Sequence, residues 1–416
     1  MDAGLRRRGG RFVFLAVGIV SAVTLASVPA HTTGIAREGD PPGALPPPPV
    51  ASVGPVIPAL PAAPADKAPA DKAPAEKAPA FGAYLDYGPR GVARMSELSE
   101  WLGGAELRVG HTYLPGDRWS NIEGAPRFLE AWAAWRKEKD DRLFVLNVPM
   151  LERNEEGVSD REVAGLLRQG AAGRFDHHFR VLAERLVDLG VPDTVIVPGW
   201  EMNGTTYTHR CGPDPESWKK YWNRIVTTMR SVAGQRFRFD FTPNRGRDAV
   251  PWTQCYPGDD VVDIIGMDSY DQPRGMSFDE QVEEPFGLQD HIDFAAAHKK
   301  PISYPEWGLF RNGDNEEYMR RMLKWMDEKK PLYNTVTDYC PHGVWQCKAN
   351  PGASAVYRDL LSGRDSTPTV PSVPTVPAEP VAPPECSPLA LGDWVEYWLG
   401  GKLCLRFDWW QGTRRS

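Results

Sequence analysis

The stretch that decides the fold is Val195-Ile-Val-Pro-Gly-Trp-Glu-Met-Asn-Gly204. Three β-branched residues in succession are typical of a strand buried on both faces, and Pro-Gly-Trp-Glu indicates the loop that follows it. A second stretch, Pro301-Ile-Ser-Tyr-Pro-Glu-Trp-Gly308, has the same build. Glu201 and Glu306 are therefore predicted at the carboxyl ends of two buried strands. Two carboxylates in that arrangement suit acid/base and nucleophilic chemistry on a glycosidic bond.

The interval 81–365 alternates strand and helix patterns throughout, which predicts an α/β fold. The strand patterns are Gly82–Asp86, Glu106–His111, Leu143–Val148, Thr194–Trp200, Phe237–Thr242, Val262–Asp268, Pro301–Glu306 and Asn334–Tyr339. The helical patterns are Arg127–Lys137, Phe175–Leu189 before Gly190, Pro215–Val232 after Asp214, and Glu316–Lys329. Eight such units predict a (β/α)8 TIM barrel, whose active site lies at the carboxyl ends of the strands. An open doubly wound sheet is the alternative, but no glycine-rich phosphate loop follows the first strand.

The segments that flank this interval are predicted to lie outside the barrel. Residues 1–30 have the layout of a signal peptide, with four arginines before the apolar run Phe12–Val28, so we expect a secreted, extracellular protein. An uncleaved signal would instead anchor the chain in a membrane. Residues 31–80 predict a Pro/Ala-rich disordered linker, 366–385 a Pro-rich linker, and 386–416 a small Trp/Cys-rich tail that either touches glycan or cell wall or packs on the barrel.

Composition narrows the chemistry further. The net charge of -7 gives no reason to expect nucleic acid as a partner. The six cysteines of an exported protein favour disulfides, and we expect the pairs Cys211–Cys255, Cys340–Cys347 and Cys386–Cys404, although six cysteines allow 15 pairings. No Cys/His spacing is typical of a zinc site, and the neighbouring His177 and His178 open a helical segment in which successive side chains should diverge. We therefore predict no metal and no cofactor.

Strand periodicity gives first predictions of which side chains face the site. Residues two apart share a face, so Gly199, Glu201 and Asn203 should face the barrel mouth while Trp200 and Met202 pack away from it. Tyr304 and Glu306 should share a face by the same argument. Further candidates for substrate contact, by their positions near predicted strand ends, are His111, Asn203, Asn244, Asp268, Trp307, Trp345 and, with less support, Trp119. The alternative for each is a structural role in packing or hydrogen bonding.

Three motifs together resemble glycoside hydrolase family 26, which contains β-mannanases and enzymes acting on β-1,3-xylan or mixed-linkage β-glucan. They are Gly-Trp-Glu-Met-Asn-Gly from Gly199, Ile-Ile-Gly-Met-Asp-Ser-Tyr from Ile264 and Ser-Tyr-Pro-Glu-Trp-Gly from Ser303, within a resemblance that covers 81–361. The resemblance implies a retaining mechanism with Glu201 as acid/base, Glu306 as nucleophile and Tyr270 as the tyrosine that hydrogen-bonds the nucleophile. One departure concerns the sugar, because Trp200 occupies the position where mannanases of the family usually have histidine. Trp200 is included among the substrate-binding candidates.

The sequence thus predicts a secreted, monomeric endo-β-glycosidase whose first expected substrate is a mannan-type polysaccharide. A retaining mechanism predicts a carboxyl separation of about 5–5.5 Å and a raised pKa for Glu201 beside the ionised Glu306. Two alternatives stay open: a β-1,3-xylanase or β-glucanase on the same barrel, and a non-catalytic, wall-bound glycan-binding protein.

Overall fold

The computed structural model describes residues 79–124 and 127–366. Outside the described residues lie the predicted signal peptide, the predicted tail, the Cys386–Cys404 pair and almost all of both predicted linkers. Residues 79, 80 and 366 are the only linker positions that the structure describes. No helix in the described ranges combines the length and hydropathy needed to cross a membrane.

The described chain forms a closed barrel of parallel strands. In chain order the strands are β1 Ala80–Tyr84, β2 Val109–Tyr113, β3 Leu143–Val148, β4 Val195–Pro198, β5 Arg238–Phe241, β6 Ile264–Gly266, β7 Ser269–Tyr270, β8 Ile302–Gly308 and β9 Tyr333–Thr337. From β1 to β6 each strand pairs in parallel with the next, both β6 and β7 pair with β8, β8 pairs with β9, and β9 pairs with β1. Because β6 and β7 are two segments of one barrel strand, the ring has eight strands, and the predicted TIM barrel is confirmed.

Helices cover the outside of this barrel. They are α1 Gly88–Trp101, α2 Trp119–Ile122, α3 Glu130–Lys137, α4 Asp160–Ala171, α5 Asp176–Asp188, α6 Pro215–Arg230, α7 Phe278–Glu283, α8 Leu288–His298, α9 Glu316–Lys329 and α10 Pro351–Leu361. Local sequence sets several starts: the Asp214 carboxylate accepts from the Ser217 N–H at 3.1 Å, and Asn315 and Ser277 cap α9 and α7 in the same way. Gly190, with φ 76°, follows α5 as predicted.

The Val-Ile-Val run of β4 shows why these strands lack polar alternation. Val195 and Val197 pack with Val109, Val145 and the side chains of other strands inside the barrel, whereas Ile196 belongs to the larger core between strands and helices. Both faces of β4 are therefore buried, as a continuous β-branched run predicts.

Two disulfides fix the loops around the barrel, and both predicted pairs within the described residues are confirmed. Cys211 bonds to Cys255 and thereby joins the segment after β4 to the segment after β5. Cys340 bonds to Cys347 within the loop after β9. Both disulfides therefore lie in loops at the carboxyl ends of the strands, the same end of the barrel as Glu201 and Glu306.

Candidate active site

Glu306 is a buried carboxylate on β8 that accepts hydrogen bonds from three other strands. Asn147 Nδ2 of β3 donates to Oε1 at 3.2 Å, and the Tyr270 hydroxyl of β7 donates to Oε2 at 2.7 Å. The Tyr113 hydroxyl of β2 is a third partner. Burial raises the pKa of Glu306, and the three hydrogen bonds oppose that rise by stabilising the ionised form. The donors thus hold a carboxylate in a fixed orientation in a buried site.

Glu201 lies in the turn that follows β4. Its N–H donates to the Thr242 carbonyl at 2.9 Å, and its backbone has φ 50°, so the chain bends sharply at this residue. Burial, the negative charge of Glu306 and the charge of Asp248 together raise the pKa of Glu201 to about 8. Near neutral pH the site therefore favours a protonated Glu201 beside an ionised Glu306.

Neither acid is neutralised by a permanent cationic partner within 79–124 and 127–366. The buried guanidinium groups of Arg210 and Arg245 pair with Asp160 and Glu284 instead. Repulsion from Glu306 is the second cause of the raised pKa of Glu201, after burial, so the two carboxyl groups belong to one electrostatic unit. A pair of interacting acids with different protonation states is what general acid and nucleophile roles require.

The nucleophile candidate Glu306 opens onto a cleft of about 1030 Å³. Six aromatic rings line it, those of Tyr84, Tyr87, Tyr113, Trp200, Tyr207 and Tyr339. Charged side chains also line it, namely Asp117, Arg153, Glu155 and Glu156. Aromatic faces with polar edges suit the apolar faces and hydroxyl groups of sugar rings.

The faces predicted around Glu201 are wrong for the neighbouring residues, because β4 ends at Pro198. Gly199 and Glu201 both have positive φ, which interrupts the alternation that a strand would impose. Trp200 consequently lines the cleft, with its ring 5.5 Å from Tyr113 and 5.0 Å from Tyr207. Gly199 faces the core, where a side chain would collide with Met150. Because Trp200 lies in the cleft wall, it remains a candidate for substrate binding.

Tyr304 and Glu306 do not share a face, which contradicts the second periodicity prediction. The pairing register of β8 with β9 shifts between Tyr304 and Trp307. Tyr304 accepts a 2.7 Å hydrogen bond from Trp325 Nε1 of α9 and lies in the helix–sheet core, whereas Glu306 lies in the cleft. This irregularity turns Glu306 towards the substrate side.

His111 acts on the site from behind Glu306. It is fully buried, with Nδ1 2.9 Å from Thr335 Oγ1 and Nε2 3.0 Å from Asn147 Oδ1. Both ring nitrogens are engaged, and burial lowers the pKa of His111 to about 4, so the ring is neutral. The predicted sugar contact gives way to a structural role: His111 orients Asn147, which in turn binds Glu306.

The Asn203 side chain likewise forms its hydrogen bonds with the protein backbone and does not face the cleft. Its Nδ2 donates to the Asn244 carbonyl at 2.9 Å, and its Oδ1 accepts from the Asn244 N–H at 2.8 Å. Because the side chain is fully buried, it has no face for a sugar hydroxyl, and the structure corrects that prediction. Asn203 ties the turn that carries Glu201 to the end of β5.

Asn244 and Asp268 lie next to each other on neighbouring strand ends, joined by a parallel bridge. Asn244 is half-buried and donates to Asp248 Oδ2 at 3.0 Å. Asp268 is fully buried, and no side chain among the described residues donates a hydrogen bond to its carboxylate, which lies against the Glu306 backbone. Burial, followed by the charges of Glu306 and Glu201, raises the pKa of Asp268 well above its usual range. Both residues keep their predicted place near the two catalytic candidates.

Three tryptophans proposed as sugar platforms lie elsewhere. Trp307 is fully buried, donates to Asn334 Oδ1 at 3.2 Å and packs near Tyr357 of α10, which contradicts a substrate-binding role. Trp119 stacks on His178 of α5 and is also absent from the cleft wall. Trp345 is half-buried against the main core and does not line the cleft.

Sequence reasoning missed Tyr113, Asn147 and most of the cleft tyrosines. Tyr113 and Asn147 occupy ends of β2 and β3, so a consistent search for polar side chains at strand ends would have found both. Tyr207 and Tyr339 come from irregular loops, where no periodicity indicates a direction.

A family model agrees with this geometry. The model of glycosyl hydrolase family 26 matches residues 177–362, a range that includes Glu201, Tyr270 and Glu306. The chain is therefore similar to glycoside hydrolase family 26 over a little under half of its length. Among characterised proteins, it is 26% identical over 197 residues to a mannan endo-1,4-beta-mannosidase of Bacillus subtilis (strain 168). That match covers 42% of this chain and 46% of the mannosidase, so it spans about half of the relative's length.

Solved structures of family 26 members share the fold. A mannanase from Bacillus subtilis superposes with a TM-score of 0.52 at 18% identity, covering 70% of this chain and 88% of that one. The catalytic domain of a Bacillus sp. JAMB-750 family 26 endo-β-1,4-mannanase gives 0.51 at 16% identity, covering 68% and 86%. At these identities the structural likeness supports the barrel architecture alone.

Proposed function

We propose that this protein is a family 26 glycoside hydrolase, a retaining endo-β-glycosidase that hydrolyses a mannan-type polysaccharide. The observation that carries the proposal is that two interacting acids differ in which form, ionised or protonated, their surroundings stabilise. Three hydrogen bonds orient Glu306 and favour its ionised form. The pKa of Glu201 is raised to about 8, so Glu201 is protonated at neutral pH.

The proposed reaction proceeds in two displacements. Glu306 attacks the anomeric carbon while Glu201 gives its proton to the departing glycosidic oxygen, so the C–O bond to the leaving sugar breaks as the glycosyl–Glu306 ester forms. Glu201, now ionised, then takes a proton from water, whose oxygen displaces Glu306 and regenerates both groups. This mechanism requires a carboxyl separation of about 5–5.5 Å, since a larger gap would accommodate water and lead to inversion.

Tyr270, Tyr113 and Asn147 assist the first displacement. Their hydrogen bonds orient both oxygens of Glu306 and limit the pKa rise that burial would otherwise cause. The aromatic wall of the cleft would hold several consecutive sugars, which favours endo action on a polymer over action on a small glycoside.

Mannan as the substrate is supported by the relatives, whose names describe mannanases. A second candidate is a β-1,3-xylan or mixed-linkage β-glucan, favoured by Trp200 directly before Glu201 and by its position in the cleft wall. A single panel separates them: reducing-end release from mannan, lichenan and β-1,3-xylan, with the wild-type chain and Glu306→Ala compared. Turnover on mannan that Glu306→Ala abolishes supports the proposal, whereas glycan binding without turnover by either protein supports a non-catalytic binder.

We also propose that the protein acts outside the cell as a monomer. The predicted signal sequence and the two disulfides support export, since such bonds persist in oxidising compartments. Fractionation of a producing culture with an antibody against the barrel tests this: accumulation inside the cytoplasm would contradict it.

A further inference from the structure

Glu123, His177 and His178 form a cluster away from the cleft lining, at the junction of α2 and α5. Their ligand atoms all lie within 4.8 Å of one another. Oε1 of Glu123 is 2.6 Å from Nδ1 of His178, and the two imidazole rings are 3.6 Å apart between centroids. The expected divergence of successive helical side chains, on which we excluded a metal, is therefore wrong here.

The cluster is held in place before any ligand arrives. Trp119 stacks on the His178 ring at 4.2 Å with an interplanar angle of 4°, and the ring of Phe175 lies 4.8 Å from Trp119 on the same indole. His177 is exposed, which leaves solvent access to the cluster.

We propose that Glu123, His177 and His178 bind Zn²⁺. Two imidazoles and one carboxylate are donors that zinc accepts, with water in the fourth position, whereas Ca²⁺ and Mg²⁺ require oxygen ligands. Zinc would bind Nδ1 of His178 with the ring proton moved to Nε2, so that the imidazole stays neutral, and Glu123 would supply its carboxylate. Ligands about 2.0–2.1 Å from a tetrahedral ion lie roughly 3.3 Å apart, so the present 2.6 Å contact needs only a small separation of the two side chains.

Zinc at this position would connect a wall of the cleft to the helix layer. Asn121 of α2 donates a 2.6 Å hydrogen bond to Asp117, and Asp117 lines the cleft. Glu123 directly follows α2, and His177 and His178 belong to α5. A zinc ion bound by all three would therefore tie α2 to α5 and fix the segment that carries Asp117. We expect a structural ion that raises thermal stability, because a ligand bound to the folded state alone stabilises that state.

The test uses the full chain, stripped with chelator and titrated with Zn²⁺ or Mg²⁺ by calorimetry and thermal melting. We expect one equivalent of zinc to bind and Tm to rise by about 5 °C at a hundredfold excess over Kd, with no response to Mg²⁺. His177→Gln and His178→Gln should each lose the bound equivalent and the Tm shift. His177 is exposed, so its variant keeps the fold even if His178→Gln does not.

His298→Gln is the matched control. His298 lies 2.6 Å from Asp259, a comparable surface His–carboxylate pair without a second imidazole, so its loss should leave zinc binding unchanged. Zinc bound elsewhere in the chain would persist in His177→Gln with an undiminished stoichiometry and Tm shift. That result, or the absence of binding by the wild-type chain, would overturn the proposal.

Discussion

The Tyr270 hydroxyl donates a 2.7 Å hydrogen bond to Oε2 of Glu306 and lies 2.8 Å from Thr337 Oγ1. The resemblance to family 26 implied the contact with Glu306, and the structure contains it. Thr337 lies at the end of β9, so the tyrosine connects β7, β8 and β9 around one carboxylate oxygen. The orientation of Glu306 is therefore a property of the closed barrel rather than of β8 alone.

Tyr270→Phe should lower kcat by about 10- to 100-fold while the protein stays folded. Loss of this donor destabilises ionised Glu306, so the pKa of Glu306 rises further. Since Glu306 must be ionised to attack, the acidic limb of the kcat/KM profile should move to higher pH. The pH dependence of reducing-sugar release measures this shift.

Tyr318→Phe provides the control for that experiment. Tyr318 is also buried and donates a 2.8 Å hydrogen bond to the Ser269 carbonyl, close to Tyr270 but without contact to Glu306. We expect both variants to lose thermal stability and only Tyr270→Phe to move the acidic limb. Equal profiles for the two variants would reject a specific role for Tyr270.

The pKa of Glu201 sets the basic limit of the reaction. The acid must be protonated for the first displacement, so kcat/KM should fall as pH rises through about 8. Asp248→Asn removes the smallest of the three causes of the raised pKa, and the basic limb should therefore move slightly to lower pH. Glu201→Gln should abolish the basic limb and reduce polysaccharide hydrolysis by at least about 100-fold. A basic limb that persists in Glu201→Gln would assign it to another group.

The sequence predicted the elements better than the directions of their side chains. The predicted Leu143–Val148 strand and Glu316–Lys329 helix have their observed bounds, because hydrophobic runs and periodic patterns directly reflect burial. The face predictions for Trp200 and Tyr304 failed because they assumed regular strands. Gly199 and Glu201, just after the end of β4, have positive φ, and the pairing register of β8 shifts before Trp307, so the alternation of side chains fails around both acids. Such local irregularity depends on packing between strands, which a single strand pattern does not contain.

Trp307 should act as a structural tryptophan and not as a substrate-binding one. It is fully buried between β8 and α10, so Trp307→Ala should lower the free energy of unfolding by about 3–5 kcal/mol, as other large core truncations do. Trp307→Phe should lose part of that stability and leave KM unchanged. Chemical denaturation and Michaelis kinetics check the two expectations.

Trp200 provides the opposite case in the same pair of assays. Its ring lines the cleft against Tyr113 and Tyr207, so Trp200→Phe should raise KM for the polysaccharide more than it changes unfolding. A larger KM effect for Trp307→Phe than for Trp200→Phe would reverse the assignment of these two residues.

Asp268 should make the stability of the barrel depend on pH. Burial and the charges of Glu306 and Glu201 raise its pKa in the folded state above the unfolded value of 3.8. The folded state therefore binds a proton that the unfolded state releases, and this contribution to stability is lost as pH rises above about 4. Asp268→Asn removes the titrating group at similar volume, so its Tm relative to wild type should be higher at pH 7 than at pH 4.

We expect that relative gain to be about 2–4 °C, the shift that roughly 1 kcal/mol produces in a domain of this size. Asp271→Asn is the control, because Asp271 is also buried but accepts hydrogen bonds from Gln281, Asn312 and Asn315. Its loss should destabilise the barrel at pH 7. Melting curves of both variants and wild type at pH 4, 5.5 and 7 give the comparison. A Tm difference for Asp268→Asn that stays constant over this range would show that Asp268 does not carry an excess proton in the folded barrel.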